Sequence, residues 1–281
     1  MEFRTIVDIP ESLWKIEPCE RMLFIGSCFA DNIGKRFTEE KFRAVVNPYG
    51  VMYNPASILH TVQRLIHDEA MPFSPDEQGT AVMTLGTNHV YILRETGEIV
   101  DNCQKRPQRL FDERELSVDE CADYLQQAVN LLKDARQKNG QSGEDLKVII
   151  TVSPIRYAKY GFHGSQLSKA TLLLAADRLV RQNPGIVSYF PAYELMNDEL
   201  RDYRFYDEDM LHPSCQAVEF IWQRFRAAYF GRAAEQFLED WRPIREAHGH
   251  KPFHPDSEAH QRFLAKTEEM ERRFNEKYFN S

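Results

Sequence analysis

Apolar residues arrive along this chain in short unbroken runs, separated by longer stretches in which they recur every three or four positions. The runs are RMLFI (21–25), AVV (44–46), AVMTL (81–85), KVIITV (147–152) and IVSYF (186–190). A strand with one wet face alternates apolar and polar residues. Runs without alternation therefore predict strands covered on both faces. The stretches between them read as helices. Phe29, Ile33 and Phe37 are spaced by four and form one stripe. In NPASILHTVQRLIH (54–67), Asn54 predicts an N-cap, Pro55 a first helical residue, and Ile58, Val62 and Leu65 an inward face. SVDE (117–120) has the form of a capping box and opens a helix through Leu125, Val129 and Leu132. SKATLLLAADRLVRQ (168–182) predicts a helix stopped by NPG. CQAVEFIWQRFRAAYF (215–230) sets Val218, Ile221, Trp222, Phe225 and Tyr229 on one side.

Strands and helices in alternation predict an α/β fold: a five-stranded parallel sheet, order 2-1-3-4-5, with helices on both faces. VYILRETGEIVDN (90–102) breaks the rhythm with two β-like runs around ETG and predicts an inserted hairpin. Beyond about residue 231 the chain turns polar, which predicts helices wrapped around the core. With no repeat and no low-complexity linker, residues 1–281 read as one domain, with a core over about 20–230 and a helical extension over about 231–281.

Composition narrows the partners. The chain has 281 residues, 42% of them apolar, and a formal net charge of -8. A main partner of nucleic acid is not expected, because phosphate binding needs a clustered excess of Lys and Arg. No run approaches the length of a membrane span. The opening MEFRTIVDIPESLWKIEPCERM lacks the apolar core of a signal peptide, so a cytoplasmic location is expected. The five cysteines (19, 28, 103, 121 and 215) are odd in number and never spaced as CxxC, which predicts free thiols rather than disulfides or a zinc site. His248, His250, His254 and His260 cluster in HGHKPFHPDSEAH without helical spacing or thiol partners and read as a solvated loop rather than a metal site.

Candidate chemistry follows from the sheet. Ligands of an open parallel sheet bind beyond the carboxyl ends of its strands. Those ends carry Gly26-Ser27-Cys28, then NPYG with Gly50, then LGTNH with Gly86 and Asn88, and finally RFYDEDMLHPS with Asp209 and His212. A nucleophile, amide donors, a carboxylate and an imidazole are the parts needed for acyl transfer. Asn102, Cys103 and His163 are further polar loop candidates without a role. The aromatic and charged stretch RDYRFYDED (201–209) either lines a cleft or packs under the last helix.

IGSCFA, NPYGVMYNP, VSPIRY and LRDYRFYDEDMLHPS together resemble the GSCFA-domain proteins, a bacterial family within the SGNH (GDSL-like) hydrolase superfamily. The resemblance covers roughly residues 20–230. It implies a flavodoxin-like three-layer sandwich and hydrolysis or transfer of an acyl group without metal or organic cofactor. The substrate would be an ester or thioester of a small molecule or glycan. DMLH matches the superfamily's DxxH and assigns Asp209 and His212. GTNH matches GxND, assigning Asn88 to the oxyanion hole and replacing the aspartate with His89. Gly50 is the nearest match to the oxyanion glycine. The nucleophile motif, ordinarily Gly-Asp-Ser, here reads Gly26-Ser27-Cys28-Phe29. Keeping its register makes Cys28 the nucleophile; a one-residue deletion would make it Ser27. A thiol at a helix N-terminus beside an imidazole is expected to ionise well below the ~8.5 of a free thiol. The altered motifs leave room for a protein that kept the fold as an inactive binding module.

Overall fold

The structure, a computed structural model, describes residues 4–73, 78–101, 103, 106–137, 146–254 and 256–279. Five strands form one parallel sheet: β1 (Arg21–Gly26), β2 (Arg43–Val46), β3 (Gly79–Leu85), β7 (Leu146–Val152) and β8 (Val187–Tyr189), in the order β2-β1-β3-β7-β8. These are the five apolar runs in the predicted order. The central strands explain the lack of alternation: β3 is buried at every position, and Met22–Gly26 of β1 likewise.

The two faces carry separate cores. Met22, Phe24, Val82 and Ile149 point into a layer made by α1 (Cys28–Glu39) and α6 (Cys215–Tyr229). Leu23, Ile25, Ala81, Met83, Val148 and Ile150 point the other way, against α2 (Pro55–His67), α3 (Val118–Gln137) and α4 (Gly161–Gln182). Two helix starts form as the sequence predicts. Asn54 Oδ1 accepts the Ser57 N–H at 2.9 Å. Ser117 and Glu120 cap each other, and those bonds with Arg114 hold the Glu120 carboxyl down at about 2. Helix α4 begins seven residues before the predicted 168, so His163 is helical rather than in a loop.

The inserted hairpin is present as β4 (His89–Leu93) and β5 (Ile99–Val100), but a third strand, β6 (Phe111–Glu115), pairs antiparallel with the other edge of β4. Its sequence hides it, since only Phe111 is buried and the rest is exposed and charged. After β8 a short turn of helix, α5 (Ala192–Glu194), runs into a π-helical turn over Leu195–Glu199. The polar tail forms α7 (Arg232–Gly249) and α8 (Glu258–Tyr278). Phe237, Trp241 and Phe274 from these helices join the cluster that contains Phe24 and Phe37, and the Trp241 indole N–H donates to the Glu39 carbonyl at 2.8 Å.

The turn that leaves β1 is fixed by one glycine. Gly26 has φ +131°, and a Cβ there would lie 2.1 Å from the Thr84 carbonyl oxygen on the neighbouring strand. Gly26→Ala is expected to destabilise the fold by about 3 kcal/mol or more, because backbone must move and the side chain sits in a disfavoured conformation. Urea melts check this; a loss below about 1 kcal/mol would mean that the turn relaxes easily.

Candidate active site

Beyond Gly26 the chain enters α1, and Ser27 and Cys28 part company. Ser27 is the N-cap and 0% exposed. Its Oγ accepts the Phe29 N–H and lies 2.9 Å from Thr84 Oγ1, while its own N–H donates to Thr84. A hydroxyl so enclosed fixes the turn. Cys28, the first residue of α1, is half-buried and lines two cavities, of about 470 and 220 Å³. His212 lines both of them as well.

His212 is presented by a tight turn between Tyr206 and Pro213. The Asp207 N–H donates to the His212 carbonyl at 2.8 Å, and Met210 takes a left-handed conformation, φ +57°. Asp209 braces this turn with both carboxylate oxygens. Oδ1 accepts the N–H groups of Leu211 (2.8 Å) and His212 (2.9 Å); Oδ2 lies 2.5 Å from His212 Nδ1. These bonds hold the Asp209 carboxyl at about 2. A carboxylate only accepts, so the proton sits on Nδ1 and Nε2 is left as the basic nitrogen.

The thiol itself corrects an expectation. Burial, and then the Asp31 carboxylate, push the Cys28 thiol up rather than down; the N–H groups of Cys28 and Phe29 and the Lys169 ammonium pull in the other direction and lose. Cys28 at neutral pH is a protonated thiol, not half of a thiolate–imidazolium pair.

The two expected oxyanion donors are not brought to Cys28. The Gly50 N–H closes a turn onto the Asn47 carbonyl at 2.8 Å, and Asn88 is buried with its amide donating to the Leu116 carbonyl at 2.8 Å. Neither lines a cavity that Cys28 lines. Their neighbours do: Tyr53 from the loop after β2, and Gly86 and Thr87 from the end of β3. His89 stacks on Tyr160 with ring centroids 3.5 Å apart, in a neighbouring cavity of about 420 Å³ that also takes in Cys103. Asn102 lies outside the described residues. Tyr203 and Tyr206 of the aromatic stretch line a further cavity of about 570 Å³. In the tail, His248 pairs with Glu271 at 2.9 Å; among the described residues no three metal-ligating side chains gather.

Sequence reasoning missed Lys169. It is 1% exposed on α4 and donates to two carbonyls at the ends of adjacent strands, Gly86 O (2.9 Å) and Ser153 O (2.8 Å). Burial lowers its amine to about 7, and the Cys28 thiolate would raise it. The signal was present: Ser165, Lys169, Leu172, Ala176 and Leu179 all lie on the buried stripe of α4.

A sequence profile of the GSCFA family matches residues 21–78 and 74–225, and a second profile, GSCFA domain protein, C-terminal domain, matches residues 241–281. No curated protein matches the chain in sequence. Similar solved structures include a mutant acetyl-xylooligosaccharide esterase from Geobacillus Stearmophilus, 12% identical over 78% of this chain and 98% of its own, with a TM-score of 0.44. Another is a carbohydrate esterase family 3 protein from Talaromyces cellulolyticus, 11% identical over 79% of this chain and 99% of its own, with a TM-score of 0.40.

Proposed function

The chain belongs to the GSCFA family, and we propose that it is an acyl hydrolase or acyltransferase in which Cys28 is the nucleophile, His212 the general base and Asp209 the residue that orients His212. The observation that carries this reading is that Cys28 and His212 line the same two cavities while Asp209 holds the imidazole by Nδ1. Because the resting thiol is protonated, His212 Nε2 takes the thiol proton as sulfur attacks the acyl carbonyl. A C–S bond forms, the bond to the alcohol or thiol breaks, and the imidazolium returns its proton to that leaving group. Water, or an acceptor hydroxyl, then gives a proton to His212 and attacks the thioester. The departing Cys28 sulfur recovers its proton from His212. The Cys28 backbone N–H, at the positive end of the α1 dipole, supports the developing oxyanion.

The acyl donor in this reading is an ester or thioester, of a small molecule or a glycan. Five free cysteines support a reducing, cytoplasmic setting. No helix among the described residues is long and apolar enough to cross a membrane.

Asp209→Asn tests the reading. Asn keeps the Oδ1 acceptor for the turn but puts an NH₂ where Oδ2 was, so Nδ1 must accept and Nε2 carries the proton. Turnover of p-nitrophenyl acetate is expected to fall by about 10³-fold or more, with the melting temperature nearly unchanged. Unchanged turnover in a folded variant would remove His212 from the mechanism.

The competing reading, an inactive binding module, draws on the raised thiol and on Gly50 and Asn88 facing elsewhere. It predicts no turnover of any ester or thioester and no effect of Asp209→Asn.

A further inference from the structure

We propose that the acyl donor carries an anionic group, a carboxylate or phosphate, close to its carbonyl, and that Arg156 holds that anion. The proposal deepens the acyl-transfer reading and rests on it. The chain as a whole is acidic, with a net charge of -8. Yet the 220 Å³ cavity beside Cys28 and His212 is lined by Arg156 and Lys159 and by no carboxylate. The cavity on the other side of Cys28 differs: its wall sets the carboxylates of Glu39, Asp207 and Glu219 beside Lys35 and Arg36. Of the two cations in the smaller cavity, Lys159 is already paired with Glu113 at 2.8 Å. Arg156 also lines the cavity of about 570 Å³ whose wall holds Asp198 and Asp202, yet no ion pair joins it to a carboxylate among the described residues.

The guanidinium is nevertheless held in place. It lies over the Phe162 ring (4.4 Å to the centroid) and the Tyr206 ring (5.2 Å), and its Nη1 donates to the Met210 carbonyl at 3.3 Å. The Arg156 backbone N–H donates to Leu211 O at 2.9 Å, which ties the segment after β7 to the turn that presents His212. Stacking occupies the faces of a guanidinium and leaves N–H groups on its edge for a planar or tetrahedral oxyanion. A fixed arginine without an acidic partner, beside a nucleophile, matches an anion brought by the substrate. Tyr206 also gives the aromatic stretch 201–209 a role as one wall of that clamp.

Alkylation tests this without any substrate. Iodoacetate and iodoacetamide react with a thiolate in the same way, sulfur displacing iodide, and differ in that iodoacetate carries a carboxylate next to the attacked carbon. At one fixed, mildly alkaline pH, where even a thiol raised by burial supplies a minor thiolate fraction, the ratio of iodoacetate to iodoacetamide rates at Cys28, read by peptide mass mapping, is expected to exceed that of free cysteine by about tenfold. Arg156→Met should bring the ratio back to the free-cysteine value, and Arg156→Lys should fall between. A wild-type ratio equal to that of free cysteine overturns the proposal with no variant needed, as does an elevated ratio that Arg156→Met leaves unchanged. Succinate and inorganic phosphate, as competitors of iodoacetamide labelling, distinguish the two anions: the one that protects wild type and not Arg156→Met is the group recognised. Protection by neither, at concentrations up to saturation, also counts against an anion site. Because the ratio cancels the reactivity of the thiol, it can fail while Cys28 still forms an acyl-enzyme. It can equally hold in a protein with no turnover.

Discussion

Cys28→Ala is expected to reduce acyl transfer to background, a loss of about 10⁴-fold or more, with little change in stability. The half-buried thiol lines open cavities and supports no packed core, so its removal leaves the fold intact. Ser27→Ala should do the reverse. It deletes a buried hydroxyl that caps α1 and meets Thr84 Oγ1, costing about 1–2 kcal/mol of stability while leaving most of the turnover. Cys28→Ser separates two mechanisms. A site that depended on a preformed thiolate would lose all activity with a hydroxyl, whereas general-base removal of the proton by His212 lets serine retain a measurable part. Protonation of the resting thiol predicts the second result. Steady-state kinetics and urea melts on the three variants decide; loss of activity in Ser27→Ala with full activity in Cys28→Ala would reverse the assignment.

Lys169 carries the second large effect, on stability against pH. Its amine titrates near 7 in the folded protein against an ordinary 10.5. Below pH 7 both states are protonated, and the folded state bears the whole cost of a buried ammonium, about 5 kcal/mol at roughly 1.4 kcal/mol per pKa unit. Above pH 7 the folded lysine sheds its proton while the unfolded one keeps it, so stability rises with pH. The clean window is pH 7 to about 8.5, because above it unfolded thiols ionise while buried Cys121, raised to about 12, does not, which lowers stability. Lys169→Met relieves the charge but strands the Gly86 and Ser153 carbonyls, each worth about 1–3 kcal/mol. These effects are of similar size, so stability at pH 7 should change by no more than about 2 kcal/mol. The slope between pH 7 and 8.5 should disappear. Urea melts across that window check it; an equal slope in wild type and Lys169→Met would assign the titration to another group.

Why would a fold keep such a residue? Lys169 joins the ends of β3 and β7 through the Gly86 and Ser153 carbonyls, Gly86 itself lining the Cys28 cavity, and its charge favours a Cys28 thiolate, the leaving group of the proposed acyl-enzyme. In the proposed mechanism, the stability lost to a buried cation is placed where negative charge would develop on sulfur.

Local chemistry made much of this legible from the sequence. The strands of the sheet announce themselves because both faces are covered, and Asn54, Ser117 and Glu120 announce helix starts because capping is a matter of a few neighbouring atoms. Asp209 and His212 lie three residues apart in one turn, so their pairing is local as well. What stayed hidden depends on distant partners. Strand β6 is recognisable only by the edge of β4 that it covers. The Gly50 N–H is taken by the Asn47 carbonyl and the Asn88 side-chain amide by the Leu116 carbonyl, and the Cys28 thiol is raised by the depth of its cavity and by Asp31. Lys169 reads as an ordinary polar residue near a helix start until α4 is given its full length, which places it at the centre of the buried face.

The central claim is that Cys28 forms the acyl-enzyme, and the most direct test is its capture. Wild type and Cys28→Ala would be mixed briefly with p-nitrophenyl acetate, quenched in acid to preserve thioesters, and digested for mass mapping. One acetyl group on the peptide carrying Cys28 in wild type, removed by hydroxylamine at neutral pH and missing from Cys28→Ala, is the predicted result. Acetyl on Ser27, or a wild-type protein that turns over the ester with Cys28 never modified, would contradict it.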